Sequence, residues 1–344
     1  GLVGSEMCIR DRRYNMCKGV IKMKKLPLAK KFTSVILANL FLLVLSIQST
    51  AHAAKPVDNN ELKLVTHNVY MLPKSLYPNW GQSIRADLIS QSFYIKGNDV
   101  VILNEAFDNS ASNQLLNNLK NEYPHQTGVL GRSRSGWDST EGSYSSTVLE
   151  DGGVAVVSKY PIKERIQHVF RRGCGFDNDS NKGFVYTKIE KDGKNFHVIG
   201  THTQAEDSRC GAGYDREIRA EQMREISTFV KNKNIPKDEV VYIGGDLNVN
   251  KNSTSGEFQD MLKNLNVNDV TYKGHTSTWD PETNYIAQYN FPNAKPEYLD
   301  YIFVDKDHRQ PGQLINEAID AKAPSWHVYA FPYTYYYNDF SDHY

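Results

Sequence analysis

Polar side chains that can bind a metal ion or transfer a proton follow several short apolar runs of the sequence. In chain order they are Asn68, Glu105, His202, Asp246, Asn248, Asp300, Asp342 and His343. Taken singly, such residues are more often turn residues, helix-start charges or surface histidines. As an ordered set, they supply what metal-assisted cleavage of a phosphodiester requires, namely ligands for a hard cation, groups that orient water and phosphate, and a base.

The acidic and amide residues indicate how a cation and a phosphate would be held. Glu105 can bind Mg²⁺, which prefers oxygen ligands and keeps several waters. The cation would neutralise charge that builds up on the phosphoryl and leaving oxygens. Asp246 and Asn248 lie two residues apart, so in an extended segment both can point at one ligand set. One of them can orient water and the other a phosphate oxygen.

Two histidines indicate how protons and charge would be handled. His343 can take a proton from water only if its ring is oriented, and an aspartate partner provides that orientation. Asp300 is the candidate partner. His202 can donate a hydrogen bond to a phosphate oxygen.

The polar residues need a scaffold that brings strand ends together. Short runs rich in Val, Ile, Tyr or Phe predict strands over Leu62–Thr66, Val100–Asn104, Val154–Ser158, Phe184–Ile189, Phe196–Thr201, Val240–Gly244 and Tyr298–Val304. Longer patterns predict helices over Ile84–Tyr94, Ser112–Glu122, Asp215–Lys231 and Gly256–Leu265. Strands mixed with helices predict an α/β sandwich with sheet at its centre. Because no Pro- or Gly-rich linker interrupts residues 54–344, we expect one catalytic domain there.

The basic N-terminus has the pattern of a secretion signal. Four lysines between residues 24 and 31 precede a mostly apolar run over 35–47, and small residues stand at 51 and 53. This pattern predicts a signal peptide over 23–53, cleaved after Ala53, and a secreted, extracellular protein. An uncleaved anchor is the alternative, although the apolar run is short for a span. Residues 1–22 resemble translated sequencing-adaptor sequence, and Met23 is the better start.

The charge of the chain is unevenly distributed. The whole sequence has 40 basic and 40 acidic residues, but residues 1–53 hold nine Lys/Arg and two acids, so residues 54–344 carry a net charge of −7. This balance counts against nucleic acid as the main substrate, because such proteins neutralise phosphates with basic residues. A hydrophobic content of 40% excludes a disordered chain.

Two cysteines, Cys174 and Cys210, lie beyond residue 53. In an oxidising exterior, an isolated pair predicts a disulfide, with two free thiols as the alternative. A metal site is less favoured, because no second Cys or His stands at zinc-finger spacing from either.

The ordered polar set resembles that of the DNase I-like endonuclease/exonuclease/phosphatase superfamily. Within it, six segments resemble the secreted bacterial neutral sphingomyelinases: NVYML at 68–72, NEAF at 104–107, EDGGV at 150–154, THTQ at 201–204, GGDLN at 244–248 and SDHY at 341–344. Residues 174–179 and 208–213 resemble the family's disulfide-bearing segments. The resemblance covers about residues 61–344 and implies a four-layer sandwich of two central mixed β-sheets flanked by helices.

The resemblance also implies an activity, which is hydrolysis of sphingomyelin to ceramide and phosphocholine. The cofactor would be Mg²⁺, with Mn²⁺ or Co²⁺ as substitutes. The substrate would be sphingomyelin in the outer leaflet of host membranes, reached by peripheral contact, and the protein would be a monomeric toxin that lyses some red cells. The chain stops at Tyr344, whereas the family continues into another strand, so the sequence leaves open whether the C-terminus is truncated.

Carried over by motif, the family's roles fall on the residues already named. Glu105 would be the central metal ligand, Asp246 and Asn248 would position water and phosphate, and Asn68 would support them. His202 would stabilise developing charge. Asp342 and His343 would complete the site, with His343 as the base or a second-metal ligand and Asp300 orienting it. The family's second, edge metal site would map onto Asn109, Glu150 and Asp151.

Two other functions share some of these features. A nuclease of the same superfamily would use the same ion chemistry, although the net charge and an aromatic C-terminal segment argue against it. Nine of the twenty residues from 325 to 344 are aromatic. A secreted binding protein or biofilm adhesin is the second alternative, and the complete ligand set makes a purely structural role the weaker hypothesis.

Residues 324–332 have prolines at both ends and mainly apolar or aromatic residues between them. They could form a core strand. They could instead form an exposed hairpin tip that enters the membrane interface, where Trp and Tyr are favoured. In the second case Trp326, Tyr329 and Phe331 would contact the membrane close to the catalytic Asp342 and His343.

Overall fold

The computed structural model describes residues 61–344. The strands in this range are β1 (Leu64–Asn68), β2 (Val100–Asn104), β3 (His125–Gln126), β4 (Ser139–Gly142), β5 (Ala155–Ser158), β6 (Ile162–Val169), β7 (Gly183–Lys191), β8 (Lys194–His202), β9 (Val240–Asp246), β10 (Thr271–Gly274), β11 (Asp300–Val304), β12 (Ile315–Ala318), β13 (Lys322–Ala330) and β14 (Tyr333–Asp339). The α-helices are α1 (Gln82–Gln91), α2 (Asn109–Leu119), α3 (Tyr214–Asn232), α4 (Glu257–Leu265) and α5 (Tyr285–Asn290).

Two mixed sheets lie at the centre. The first has the strand order β1-β2-β5-β3 and the second has the order β11-β9-β8-β7-β6-β4. β1 runs parallel to β2, and β8 runs parallel to β9, whereas β11 is antiparallel to β9. The C-terminal ends of β8 and β9 therefore meet the N-terminal end of β11 at one edge of the second sheet.

The buried apolar side chains show how the layers pack. Residues of both sheets, such as Ile102 and Val198, fill the space between the sheets. α1 and α2 pack against the outer face of the first sheet, and α3 and α4 pack against the outer face of the second. The central strands are apolar on both faces because each face meets another layer. This arrangement confirms the four-layer α/β sandwich expected from the sequence.

All seven predicted strands and all four predicted helices are present, with ends shifted by up to three residues. The start of α2 shows why one boundary moved, since the Asp108 side chain accepts a hydrogen bond from the Ala111 amide and caps the helix ahead of its apolar pattern. The prediction missed the short helix α5 and seven strands of residues 61–344, of which β6, β13 and β14 are the longest. The half-exposed sequences of these three strands depend on pairing with neighbouring strands, which local periodicity does not reveal.

Cys174 and Cys210 form a disulfide, which confirms the pairing expected from the sequence. Cys174 directly precedes the 3₁₀ turn Gly175–Asp179, and Cys210 ends the 3₁₀ turn Ser208–Cys210. The bridge therefore joins two loops that follow β6 and β8.

Strands β13 and β14 form a two-stranded antiparallel hairpin with Phe331 and Pro332 at its turn. At the tip, Tyr329 is 64% exposed and Phe331 is 87% exposed. Trp326 is different, because it is buried at the base of the hairpin, where its indole packs on Tyr337 and donates to the Asp339 carbonyl. The prediction that Trp326 contacts the membrane is therefore wrong, whereas Tyr329 and Phe331 stay candidates.

The predicted leader over 1–22, signal peptide over 23–53 and cleavage after Ala53 lie outside the described residues, as does the predicted start of the catalytic domain at residue 54. Within residues 61–344, none of the helices is long and apolar enough to cross a membrane.

Candidate active site

The strand ends of both sheets bring the predicted site residues together. Asn68 ends β1, directly opposite Asn104 at the end of β2. Asp246 ends β9 and is paired with His202 at the end of β8 and with Asp300 at the start of β11. Asn104 joins the two sheets here, since its amide donates to the Thr201 carbonyl and its oxygen accepts from the Asp246 amide. The register of the strands thus concentrates the polar side chains at one edge.

Asn68 is the side chain that links this group. It is fully buried, and its amide nitrogen lies 3.0 Å from Glu105 Oε1, 3.0 Å from Asp246 Oδ2 and 3.5 Å from His343 Nε2. Its own oxygen accepts from the Tyr70 amide, and its backbone carbonyl accepts from the Ser341 hydroxyl. One amide therefore donates to Glu105 and Asp246 and lies beside His343, although the three residues are far apart in the sequence.

Glu105 follows β2 with a left-handed backbone, at φ 55°. A non-glycine residue in this region is strained, and such strain is concentrated at functional sites. Burial raises the pKa of the Glu105 carboxyl group. The hydrogen bond from Asn68 and the positive charges of His343 and Lys182 lower this pKa, but burial has the larger effect. A buried carboxylate with a raised pKa lacks a full counter-charge, which a cation would supply.

His343 and Asp300 form the pair that the sequence predicted. His343 Nδ1 lies 2.8 Å from Asp300 Oδ2, and both residues are buried. Although burial lowers the pKa of His343, the charges of Asp300, Asp342 and Asp246 raise it well above its usual value. The other ring nitrogen, Nε2, lies 3.8 Å from Asp246 Oδ2. Asp300 therefore fixes the ring so that Nε2 faces the rest of the site.

Asp246 and Asn248 do not form the extended segment that was expected. β9 ends at Asp246, and Asn248 has a left-handed backbone at φ 50°. Asp246 Oδ1 accepts from the Asn248 backbone amide, and the Asn248 side chain donates to the Thr203 carbonyl. An aspartate readily makes such a turn two residues on, and asparagine tolerates the left-handed region. Burial and the charge of Asp300 raise the pKa of Asp246 to about 6.

His202 faces the same group from β8. Its Nε2 lies 3.8 Å from Glu105 Oε1 and 3.7 Å from Asp246 Oδ2. Burial, Lys182 and His343 lower the pKa of His202 well below its usual value. The ring is therefore neutral at neutral pH.

Asp342 is buried and accepts from the Ser341 hydroxyl. Burial and the charge of Glu105 raise its pKa to about 6, although the charge of His343 opposes this. Residues 61–344 contain two tight groups of possible metal ligands, and Asp342 belongs to neither. One group is Glu105, His202 and Asp246, and the other is Asp246, Asp300 and His343. In each group the ligand atoms lie within 4.8 Å of one another.

The three residues of the predicted edge site differ in how far their side chains are exposed to solvent. Asn109 is exposed at the start of α2, and Asp151 is buried. The Arg132 guanidinium lies 2.7 Å from Asp151 Oδ2 and also donates to the carbonyls just before α2. Burial and the charge of Asp151 raise the pKa of Glu150 to about 7. The role of this trio as a metal site stays a prediction.

Sequence reasoning missed the buried Arg85. Its guanidinium donates to the carbonyls of Val69, Tyr70 and Phe340. It thereby ties the segment after Asn68 to the segment before His343. The local sequence could not predict this role, because α1 has little amphipathic character and the carbonyls that accept from Arg85 come from distant parts of the chain.

The chain matches the endonuclease/exonuclease/phosphatase family over residues 65–343. It is 71% identical over 325 residues to a phospholipase C of Staphylococcus aureus, a match that covers 94% of this chain and 98% of that protein. It is 59% identical over 291 residues to a sphingomyelinase C of Bacillus cereus, covering 83% and 87% of the two chains. A crystal structure of a doubly substituted Staphylococcus aureus beta toxin with bound magnesium ions has a TM-score of 0.81 and 76% identity, covering 82% of this chain and 97% of that one.

These matches confirm the resemblance to the bacterial sphingomyelinases that the motifs predicted. The chain therefore belongs to the endonuclease/exonuclease/phosphatase family, in the branch that contains the bacterial sphingomyelinases C and the staphylococcal beta toxin.

Proposed function

We propose that this protein is a Mg²⁺-dependent phosphodiesterase that hydrolyses sphingomyelin to ceramide and phosphocholine. The observation that carries the proposal is the contact of one buried amide, Asn68, with Glu105, Asp246 and His343. A candidate metal ligand, a candidate water-positioning carboxylate and a candidate base are thereby held in one constellation. Relatives named sphingomyelinase C, at 57–59% identity, supply the substrate class.

The donor set fits a hard cation. It is rich in carboxylate oxygens, which Mg²⁺ prefers, and burial without a full counter-charge raises the pKa of Glu105, Asp246 and Asp342. Glu105 would be the central ligand, with Asp342 and His343 completing the site, and Asn109, Glu150 and Asp151 would form a second, edge site. Bound Mg²⁺ would stabilise the negative charge that develops on the phosphoryl and leaving oxygens.

The protein's own groups would then position and deprotonate the water. Asp246 presents Oδ2 between Asn68 and His343, which is where an attacking water could be oriented. Bound Mg²⁺ would offset the carboxylate charges that raise the pKa of His343 and leave its ring neutral. The ring would then take the proton at Nε2, because Nδ1 is held by Asp300. His202 would help to stabilise the charge on the phosphate, and Asn248 would position a phosphate oxygen.

The hairpin tip supports a peripheral contact with the membrane. Tyr329, Phe331, Tyr333 and Tyr336 are each at least 64% exposed. Aromatic side chains at a lipid interface are stabilised because the ring is apolar and its edge can stay wet. β14 runs from this tip to the segment that carries His343, so the hairpin joins the exposed aromatic side chains to the site. Together with the signal-like N-terminus, this supports a secreted protein that acts on sphingomyelin in the outer leaflet of host membranes.

The function is tested by offering the purified protein sphingomyelin, phosphatidylcholine and duplex DNA side by side, with Mg²⁺ and then with a chelator. We expect phosphocholine release from sphingomyelin in Mg²⁺, and its loss in chelator. DNA cleavage that exceeds lipid hydrolysis would favour a nuclease. Binding to vesicles without turnover of any of the three would favour a non-enzymatic role.

A further inference from the structure

Lys182 lies beside the candidate active site, although no motif singled it out. It directly precedes β7 and is 5% exposed. Its ammonium nitrogen lies 2.8 Å from Asp177 Oδ2, 3.2 Å from the Thr203 carbonyl and 3.3 Å from His202 Nε2. A buried ammonium group is retained only where its charge and its three donors find partners.

The three contacts decide which nitrogen of His202 carries the proton. Asp177 and Thr203 accept two of the three ammonium donors, so the third is satisfied only if His202 Nε2 is an acceptor. A proton on Nε2 would instead point two donors at each other across 3.3 Å. It would also leave a donor of a buried cation without a partner, which costs more than leaving a neutral donor unpaired.

The other ring nitrogen bears the cost of this assignment, since its N–H finds no acceptor among the described residues, but an unpaired neutral donor costs less than an unpaired donor of a buried cation. His202 Nδ1 is buried and has no hydrogen-bond partner within residues 61–344. A neutral imidazole carries its proton on one nitrogen and a lone pair on the other. If Lys182 occupies the Nε2 lone pair, the proton is on Nδ1.

We propose that Lys182 is a positioning residue that fixes His202 in the Nδ1–H tautomer and places an ammonium group beside the active site. His202 Nε2 is the ring atom nearest to Glu105 and Asp246. In this arrangement Nε2 is not the hydrogen-bond donor that the sequence suggested. The positive charge on this side of the site is then that of the Lys182 ammonium, paired with Asp177, and not that of an imidazolium.

The surroundings of Lys182 are built to hold it in place. Asp177 belongs to the 3₁₀ turn that follows Cys174, and it also accepts from the Ala205 amide beyond β8. Thr203, whose carbonyl accepts from Lys182, accepts from the Asn248 side chain as well. Lys182 thus connects the disulfide-braced loops to the strand end that carries His202.

The tautomer is tested by ¹⁵N NMR of the protein labelled at its ten histidines, with and without Mg²⁺ at neutral pH. The His202 signals are assigned by their loss in His202→Gln. We expect a protonated Nδ1 and a bare Nε2 in the wild-type protein. A protonated Nε2 would overturn the proposal, and this measurement needs neither enzymatic activity nor a Lys182 variant that folds.

The catalytic consequence rests on the proposed function and is tested separately with Lys182→Met, which keeps the length of the side chain. We expect kcat on sphingomyelin to fall by roughly 10- to 100-fold, the usual effect of losing a group that orients a site residue. KM should change little, and the His202 tautomer should shift. Lys194→Met, at an exposed position on β8, should leave both unchanged.

Two results with Lys182→Met would contradict the positioning role. One is wild-type kcat, and the other is lost kcat with the Nδ1–H tautomer retained. If the wild-type protein hydrolyses no sphingomyelin, the proposed function fails while the NMR result on the tautomer still stands.

Discussion

The sheet edge around Asn68 and the tip of the β13–β14 hairpin hold their side chains in opposite ways. Asn68 is buried and contacts Asp246 and His343, which lie 178 and 275 residues away in the sequence. At the tip, Phe331 is 87% exposed, and the turn is closed by pairing between Ala330 and Tyr333. The first region depends on long-range packing and the second on a local turn.

This difference suggests that the sheet edge carries out the reaction and that the hairpin tip contacts the membrane. Substitutions at the sheet edge should impair turnover of every substrate, because they alter the reacting groups themselves. Substitutions at the tip should impair only substrates that are embedded in a membrane. The base of the hairpin belongs with the first region, since Trp326 is buried against Tyr337 and next to the turn before α1.

The largest effect is expected for Glu105→Gln. A neutral amide cannot replace the charge of the ligand, so Mg²⁺ binding should weaken and turnover should fall by roughly 10³-fold or more. The loss should be equal on vesicles and on a water-soluble phosphocholine ester, and the protein should stay folded. Glu282→Gln, an exposed control, should behave as wild type. Normal activity of Glu105→Gln at limiting Mg²⁺ would show that Glu105 is not a ligand.

The next largest effects are expected for His343, the candidate base, and for Asp300, which orients it. His343→Ala should lower kcat by about 10²- to 10⁴-fold, the usual contribution of a positioned proton-transfer group. Asp300→Asn should cost less, because it misorients the imidazole without removing it. Steady-state rates are compared with thermal unfolding for both variants. A folded Asp300→Asn that is more damaged in turnover than His343→Ala would contradict the orienting role.

At the hairpin tip, Phe331→Ala should weaken vesicle binding by roughly 10- to 100-fold, because burying a large apolar side chain stabilises the bound state by about 1.5–3 kcal/mol. Activity should fall on sphingomyelin vesicles and persist on the soluble ester. Phe93→Ala, at a phenylalanine that is 69% exposed after α1, is the matched control and should leave both activities intact.

Trp326→Ala tests whether the base of the hairpin behaves as part of the core or as part of the membrane-contacting tip. It should lower the melting temperature and impair both substrates, because it opens a cavity in the core under the hairpin. If Trp326→Ala instead lost only vesicle activity with normal stability, the buried position of this side chain would not describe the protein in solution.

The smallest effect on activity is expected from removing the disulfide. The double substitution Cys174→Ser with Cys210→Ser should destabilise the fold by about 4 kcal/mol in the loop-entropy model and lower the melting temperature by on the order of 10 °C. Turnover at low temperature should be nearly retained, because neither sulfur contacts the candidate metal ligands. Two titratable thiols in the non-reduced protein would contradict the disulfide.

Much of this molecule could be predicted from local sequence. Periodicity revealed all of the strands that carry Asn68, His202, Asp246 and Asp300, because buried strands must be apolar over a short run. Residue chemistry indicated the pair of His343 and Asp300. These features depend on residue type and on spacing along a few positions.

Other features depended on packing between distant segments, which local pattern does not encode. The bridging role of Asn68 needs the register of β1 against β2 and the close approach of the C-terminal segment. Burial of Trp326 needs β14 alongside it, and the burial of Lys182 needs an aspartate from one loop and a histidine from another strand. The sequence by itself determined which chemical groups are available and where strands can form. Only the tertiary structure decided which of those groups meet, because burial and side-chain orientation are set by neighbours far away in the chain.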